Sequence, residues 1–137
     1  MDHRELERIR QIRNRDNVFA VNMGVYTTEI TEDHARGEME VKDSSRNLNG
    51  SVHGGCLYTM ADSIGGSAAS AQGYRIATAS GHIEYLAPAL KTEKLFAEAE
   101  VVKSGKRIIV CEVRIYDDDR KILMIGLFEY TRLKEKY

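Results

Sequence analysis

The chain has 137 residues, 42% hydrophobic and 30% charged, with 20 Lys and Arg against 21 Asp and Glu for a formal charge of -1. That length carries one hydrophobic core, and the composition is globular rather than disordered. The charge balance lacks the basic excess of a nucleic-acid binder, and two cysteines are too few for a disulfide framework.

Residues 2–14 read as a short helix, with Leu6, Ile9 and Ile12 at three-residue spacing among charges. Such a stripe docks on the body of a domain. A basic amphipathic helix on a membrane surface is the weaker reading, because Asp2, Glu5 and Glu7 dilute its charge. The opening residues have no apolar core of a signal peptide, and no run approaches the length of a membrane span, so a cytoplasmic, membrane-free protein is expected.

Two half-wet strands follow at about 24–33 and 35–42; in the second, Ala35, Gly37, Met39 and Val41 alternate with charged residues. A loop starts at Asp43. From His53 to Gly73, Leu57, Ala61, Ile64 and Ala68 fall on one stripe of a helix rich in Gly, Ala and Ser. Gly65 and Gly66 within it suit close approach to another backbone, or else mark a break.

Strands then dominate. The odd residues Ala77, Ala79, Gly81, Ile83, Tyr85 and Ala87 form an apolar face, with Thr78, Ser80, His82 and Glu84 opposite. Alternation recurs over 95–103 and 107–116, and the turn DDDR at 117–120 leads to a last strand at 121–131. Ile122 to Phe128 is apolar on both parities, which calls for cover on both faces and hence a partner subunit. The pattern predicts one α+β domain over 1–137: a long helix against a single antiparallel sheet of about six strands.

Chemistry concentrates in NLNGSVHGGCLYTMAD, residues 47–62. Gly54 and Gly55 stand where the helix begins, and its first-turn N–H groups have no intrahelical partners. They suit an oxyanion, and equally a tight junction between loop and helix. Asp62 is the only charged residue between His53 and Arg75. On a helix this poor in charge it suggests a nucleophile or general base, against the ordinary alternative of a solvated surface acid. Ser80 is placed to reach Asp62 or its water, or simply to face solvent. The four histidines form no metal-ligand motif, and Cys56 lacks an obvious base, so no metal or thiol chemistry is expected.

The segment 47–62, followed by ATASGHIEYLAPA, resembles the hotdog-fold acyl-CoA thioesterases of the phenylacetic-acid-degradation type. The likeness spans roughly 20–131, and its specific part is Asn–x–x–Gly–x–x–His–Gly–Gly followed by an acid. It implies the hotdog fold, with dimers that share a continuous sheet, often pair into tetramers, and carry active sites at the dimer interface. The implied reaction is hydrolysis of an acyl-CoA thioester, with CoA as part of the substrate and no other cofactor. The catalytic acid falls on Asp62, the oxyanion amide on Gly54 or Gly55, and supporting groups on Asn47, His53 and Ser80. Lys103, Lys106 and Arg107 are the nearest match for CoA phosphates. Tyr58, Tyr74, Tyr85 and Met60 are candidates for an acyl pocket. One departure is DDDRK at 117–121, where the family carries a turn glycine. A non-catalytic acyl-CoA binding or regulatory protein of the same fold is the alternative, but it would have no use for Asp62.

Overall fold

The computed structural model describes residues Met1–Tyr137. Three helices and six strands run in the order α1 (His3–Asp16), α2 (Val18–Asn22), β1 (Val25–Ile30), β2 (His34–Glu40), α3 (Gly54–Ala69), β3 (Tyr74–Tyr85), β4 (Lys94–Ser104), β5 (Ile108–Tyr116) and β6 (Ile122–Lys136). The strands form one antiparallel sheet in the order β1-β2-β4-β5-β6-β3. α3 packs against all six, so the sheet wraps a central helix. This is the α+β hotdog architecture.

The stripe of α3 faces the sheet: Leu57, Ala61, Ile64 and Ala68 are buried, against Ala35, Ala97 and Ala99 on β2 and β4. Small side chains on both sides let the helix sit close, while Ile64 and Leu95 fill the remaining volume. Truncating Ile64 to Ala would cost about 2–5 kcal/mol. The helix runs unbroken through Gly65 and Gly66. Gly65 is required by contact, because a Cβ there would collide with the Tyr130 hydroxyl. The closeness that its composition suggests is therefore real, and the helix is not broken.

α1 docks as its stripe predicts. Asp2 caps it by accepting from Glu5 N–H at 2.9 Å, and Leu6 and Ile9 are buried. Arg13 then ties α1 to α3, donating to Ser67 Oγ at 2.8 Å and to the Ser63 carbonyl at 3.0 Å. An apolar stripe spent on the protein core is not free for a membrane surface. No helix is long and apolar enough to cross a membrane.

The hairpin without a turn glycine closes by other means. Asp117 Oδ1 accepts from the N–H groups of Asp119 and Lys121 at 2.9 and 2.8 Å, and Arg120 takes the left-handed conformation at φ 67. An aspartate's own hydrogen bonds thus build the turn, and a non-glycine residue bears the strained φ.

β3 departs from its sequence pattern. It is an edge strand, and its register slips between Thr78 and Ser80, leaving Ala79 as the extra residue. A bulge of this kind shifts the side-chain alternation by one. Before it, Thr78 pairs with inward-facing Tyr130; after it, Gly81 pairs with inward-facing Phe128. Ala77 and Ala79, expected on the buried face, are exposed. Gly81 and Ile83 do face the helix. On β6, Met124 and Phe128 are buried toward α3, while Leu127 on the other face is 50% exposed.

Candidate active site

The start of α3 is shaped by His53. Its backbone is extended at φ -58 and ψ 134, so the helix begins at Gly54, and its Nδ1 accepts the Gly55 N–H at 2.9 Å. A ring nitrogen that accepts carries no proton. The imidazole proton therefore sits on Nε2, which remains free to donate. The N–H groups of Cys56 and Leu57 bond to the His53 carbonyl at 2.9 and 3.3 Å. Only the Gly54 N–H in this turn has no acceptor within the protein. Of the two glycines, Gly54 offers the available amide and Gly55 is committed to the cap.

Tyr85, from the end of β3, stands over this turn and donates to the Gly54 carbonyl at 2.8 Å. Partial burial and the nearby Tyr58 hold its phenol above the usual range. Gly54, Leu57, Tyr85, Pro88 and Asn47 line a cleft of about 370 Å³. Asn47 is engaged with its own loop: its side chain donates to Ser51 Oγ and accepts from Asn49 N–H, both at 2.9 Å. Cys56 lies in the same helical turn, yet burial pushes its thiol up rather than down, so it is not an activated nucleophile.

Two turns further along α3, Asp62 lines a second cleft of about 360 Å³ with Phe19, Thr59, Ile76 and Thr78. Thr78 Oγ1 donates to its carboxylate at 2.7 Å. From the core side, Tyr130 Oη donates to the Asp62 carbonyl at 2.9 Å, which fixes the backbone that carries the acid. Burial, and the Asp62 charge next, keep the Tyr130 phenol well above its usual range, so it stays a donor.

The structure thus brings Asn47, His53, Gly54 and Gly55 together and holds Asp62 apart from them. Eight residues of helix separate Gly54 from Asp62, about 12 Å along the axis. Ser80 is not beside the acid as expected. The bulge turns it outward, where its Oγ donates to Glu129 at 3.2 Å, and Thr78 takes the inward place. Thr78 shared its face with Ser80 in the sequence pattern, so periodicity carried no signal to separate them.

Of the acyl-pocket candidates, Met60 is fully buried in the core. Tyr74 lies at the far end of β3 beneath Arg132, whose guanidinium is 4.6 Å from the ring centre, with Lys136 also over the ring. Tyr58 packs edge-on against Phe128 with centroids 5.2 Å apart. Lys103, Lys106 and Arg107 are exposed at the β4–β5 end. The Arg107 carbonyl accepts from Arg132 N–H at 2.7 Å, which places Arg132 beside that basic group. Both cysteines are free thiols, and no three His, Cys, Asp or Glu side chains converge to hold a metal.

A family model, the thioesterase superfamily, matches residues 49–124. The acyl-coenzyme A thioesterase PaaI of Escherichia coli is 26% identical over 110 residues, 80% of this chain and 79% of that protein. In structure, the E. coli PaaI protein from the phenylacetic acid degradation operon superimposes with a TM-score of 0.92 at 22% identity, covering 98% and 97% of the two chains. A hypothetical thioesterase protein of Streptococcus pneumoniae, solved with coenzyme A, gives 0.82 at 23% identity over 90% and 99%.

Proposed function

The chain belongs to the thioesterase superfamily, and from that premise we propose that it hydrolyses an acyl-CoA thioester to the carboxylic acid and free CoA. The observation that carries the reading is the free Gly54 N–H at the start of a helix that also bears Asp62. The thioester oxygen accepts from Gly54 N–H, and the dipole of α3 favours the negative charge that develops there. His53 Nε2–H is a second donor at the same turn. Asp62, oriented by Thr78, attacks the carbonyl carbon or takes a proton from water that does so. In the water route the C–S bond then breaks and CoA leaves as the thiol with the proton that Asp62 took, freeing the acid. In the direct route the thiolate leaves with a proton from solvent, and water then splits the Asp62–acyl anhydride to the acid and the free carboxylate.

About 12 Å of helix keeps Gly54 and Asp62 of one chain from serving one carbonyl. The reading therefore includes a dimer in which Gly54 of one subunit meets Asp62 of the partner subunit. β3 supports it: the strand is 12 residues long, lies at the sheet edge, and exposes unpaired backbone groups and the Tyr85 side chain. Its pairing with a second copy would continue the sheet and bring two α3 helices side by side. Exposed Lys103, Lys106 and Arg107, with Arg132 next to them, supply positive charge for the CoA phosphates. The two reduced cysteines fit a cytoplasmic enzyme.

A panel of acyl-CoAs assayed by release of free thiol tests the activity, with Asp62→Asn as the control. The variant should keep its fold and CoA binding and lose at least about 100-fold in kcat. Retention of more than a tenth of wild-type kcat would sink the role of Asp62, and a non-catalytic acyl-CoA binder would then be the better reading. Light scattering tests the shared site: a fully active monomer would exclude it.

A further inference from the structure

We infer that Phe19 is a specificity-determining residue: its ring and the Ile76 side chain wall the acyl subsite beside Asp62 and favour long apolar acyl groups over short ones. This rests on the thioesterase reading of the same site. Phe19 lies on α2 and is 71% exposed, and its neighbour Val18 is 60% exposed. A single exposed apolar side chain is ordinary in itself. What distinguishes Phe19 is its place, in one cleft with Asp62, Thr78 and Ile76.

The ring is held there by a fixed backbone. Asn17, at the start of α2, donates from its side chain to Ser63 Oγ at 3.0 Å, and Ser63 directly follows Asp62 on α3. Ala20 is buried, and Met23 N–H bonds to the carbonyls of both Phe19 and Ala20 at 3.3 and 3.1 Å. α2 is therefore pinned to the turn of α3 that carries the acid. The polar side chains that share the cleft are also engaged with the protein. Arg13 donates to the Ser63 carbonyl and Ser67 Oγ, and Asn17 to Ser63 Oγ. Thr59 likewise donates to the Gly55 carbonyl and Thr78 to Asp62. In a lining that is otherwise polar and internally bonded, the apolar contact for an acyl chain thus comes from Phe19 and Ile76, with Ala20 beside them. Each methylene so contacted is worth roughly 10-fold or more in discrimination.

The test compares wild type, Phe19→Ala and Phe19→Leu on acetyl-, butyryl-, hexanoyl- and octanoyl-CoA. For Phe19→Ala the ratio of kcat/KM for octanoyl-CoA to that for acetyl-CoA should fall about tenfold or more, mostly through KM, with Phe19→Leu in between. A change of less than about twofold in that ratio overturns the proposal. So does a change in oligomeric mass on light scattering, since Phe19 would then be an interface residue. Calorimetry of octanoyl-CoA against CoA alone, in Asp62→Asn with and without Phe19→Ala, separates the two readings. If wild type hydrolyses nothing, yet octanoyl-CoA outbinds CoA and Phe19→Ala removes the advantage, the enzymatic reading fails and the acyl wall stands. If no such advantage exists, the wall falls as well.

Discussion

Thr78 Oγ1 donates to the Asp62 carboxylate at 2.7 Å, although sixteen residues and a helix-to-strand turn separate them. The contact exists because β3 bulges directly after Thr78 and so presents that residue, and not Ser80, to α3. A hydroxyl that donates to a carboxylate fixes the direction in which its free oxygen points.

Thr78→Val keeps the shape of the side chain and removes that donor. We expect kcat to fall by about 10- to 100-fold, in line with the roughly 1.5–3 kcal/mol of a hydrogen bond to a charged group. Ser80→Ala, which removes only the bond to Glu129, should change kcat by less than about twofold. Steady-state kinetics on both variants decides the matter, and a larger loss for Ser80→Ala would reverse the assignment.

Gly54→Ala and Gly55→Ala should fail differently. A Cβ on Gly54 would lie 3.0 Å from the Tyr85 hydroxyl and 3.1 Å from Cζ, crowding the side of the free amide. The expected result is a loss of about 100-fold in kcat with a folded protein. On Gly55 the Cβ meets His53 Nδ1 at 3.0 Å and disturbs the cap, so stability should fall by about 1 kcal/mol. Thermal unfolding and kcat, measured together, distinguish lost catalysis from a lost cap.

Gly65 and Tyr130 form a coupled pair, since a Cβ at 65 runs into the hydroxyl that supports the Asp62 carbonyl. Gly65→Ala should destabilise by about 1–3 kcal/mol through overpacking. Tyr130→Phe should cost about 1–2 kcal/mol by leaving that bond unmade. The double variant should lose less than the two costs added, because removing the hydroxyl makes room for the methyl. Denaturant unfolding of all four proteins measures the coupling, and strict additivity would refute it.

Cys111 is fully buried, and burial pushes its thiol up to about 12 from an ordinary 9.0. The unfolded chain therefore loses this proton first. Its contribution is complete below pH 9 and is lost progressively as pH rises from about 9 towards 12. Cys111→Ala should flatten the decline of stability over that range while lowering stability at neutral pH. Equal slopes for the two proteins would rule this out.

Much of the molecule is legible in the primary structure. The stripe of Leu57, Ala61, Ile64 and Ala68 predicts the central helix, because the same three-to-four-residue spacing that defines the helix defines its buried face. Alternation along 35–42 and 107–116 gives strands for the same local reason. His53, Gly54 and Asp62 stand out by residue type and spacing within one continuous segment. The tertiary structure alone decided the rest. Which hydroxyl meets Asp62 depends on a one-residue slip between β3 and β6, and such a slip leaves the local pattern of either strand unchanged. Which glycine keeps a free amide depends on the rotamer of His53. Phe19 comes to share a cleft with the acid because Asn17 ties α2 to Ser63 on α3, and Gly54 and Asp62 are held apart by the rise of an unbroken helix. Periodicity records how a segment presents its own side chains, whereas register, rotamer and docking arise only when segments distant in sequence meet.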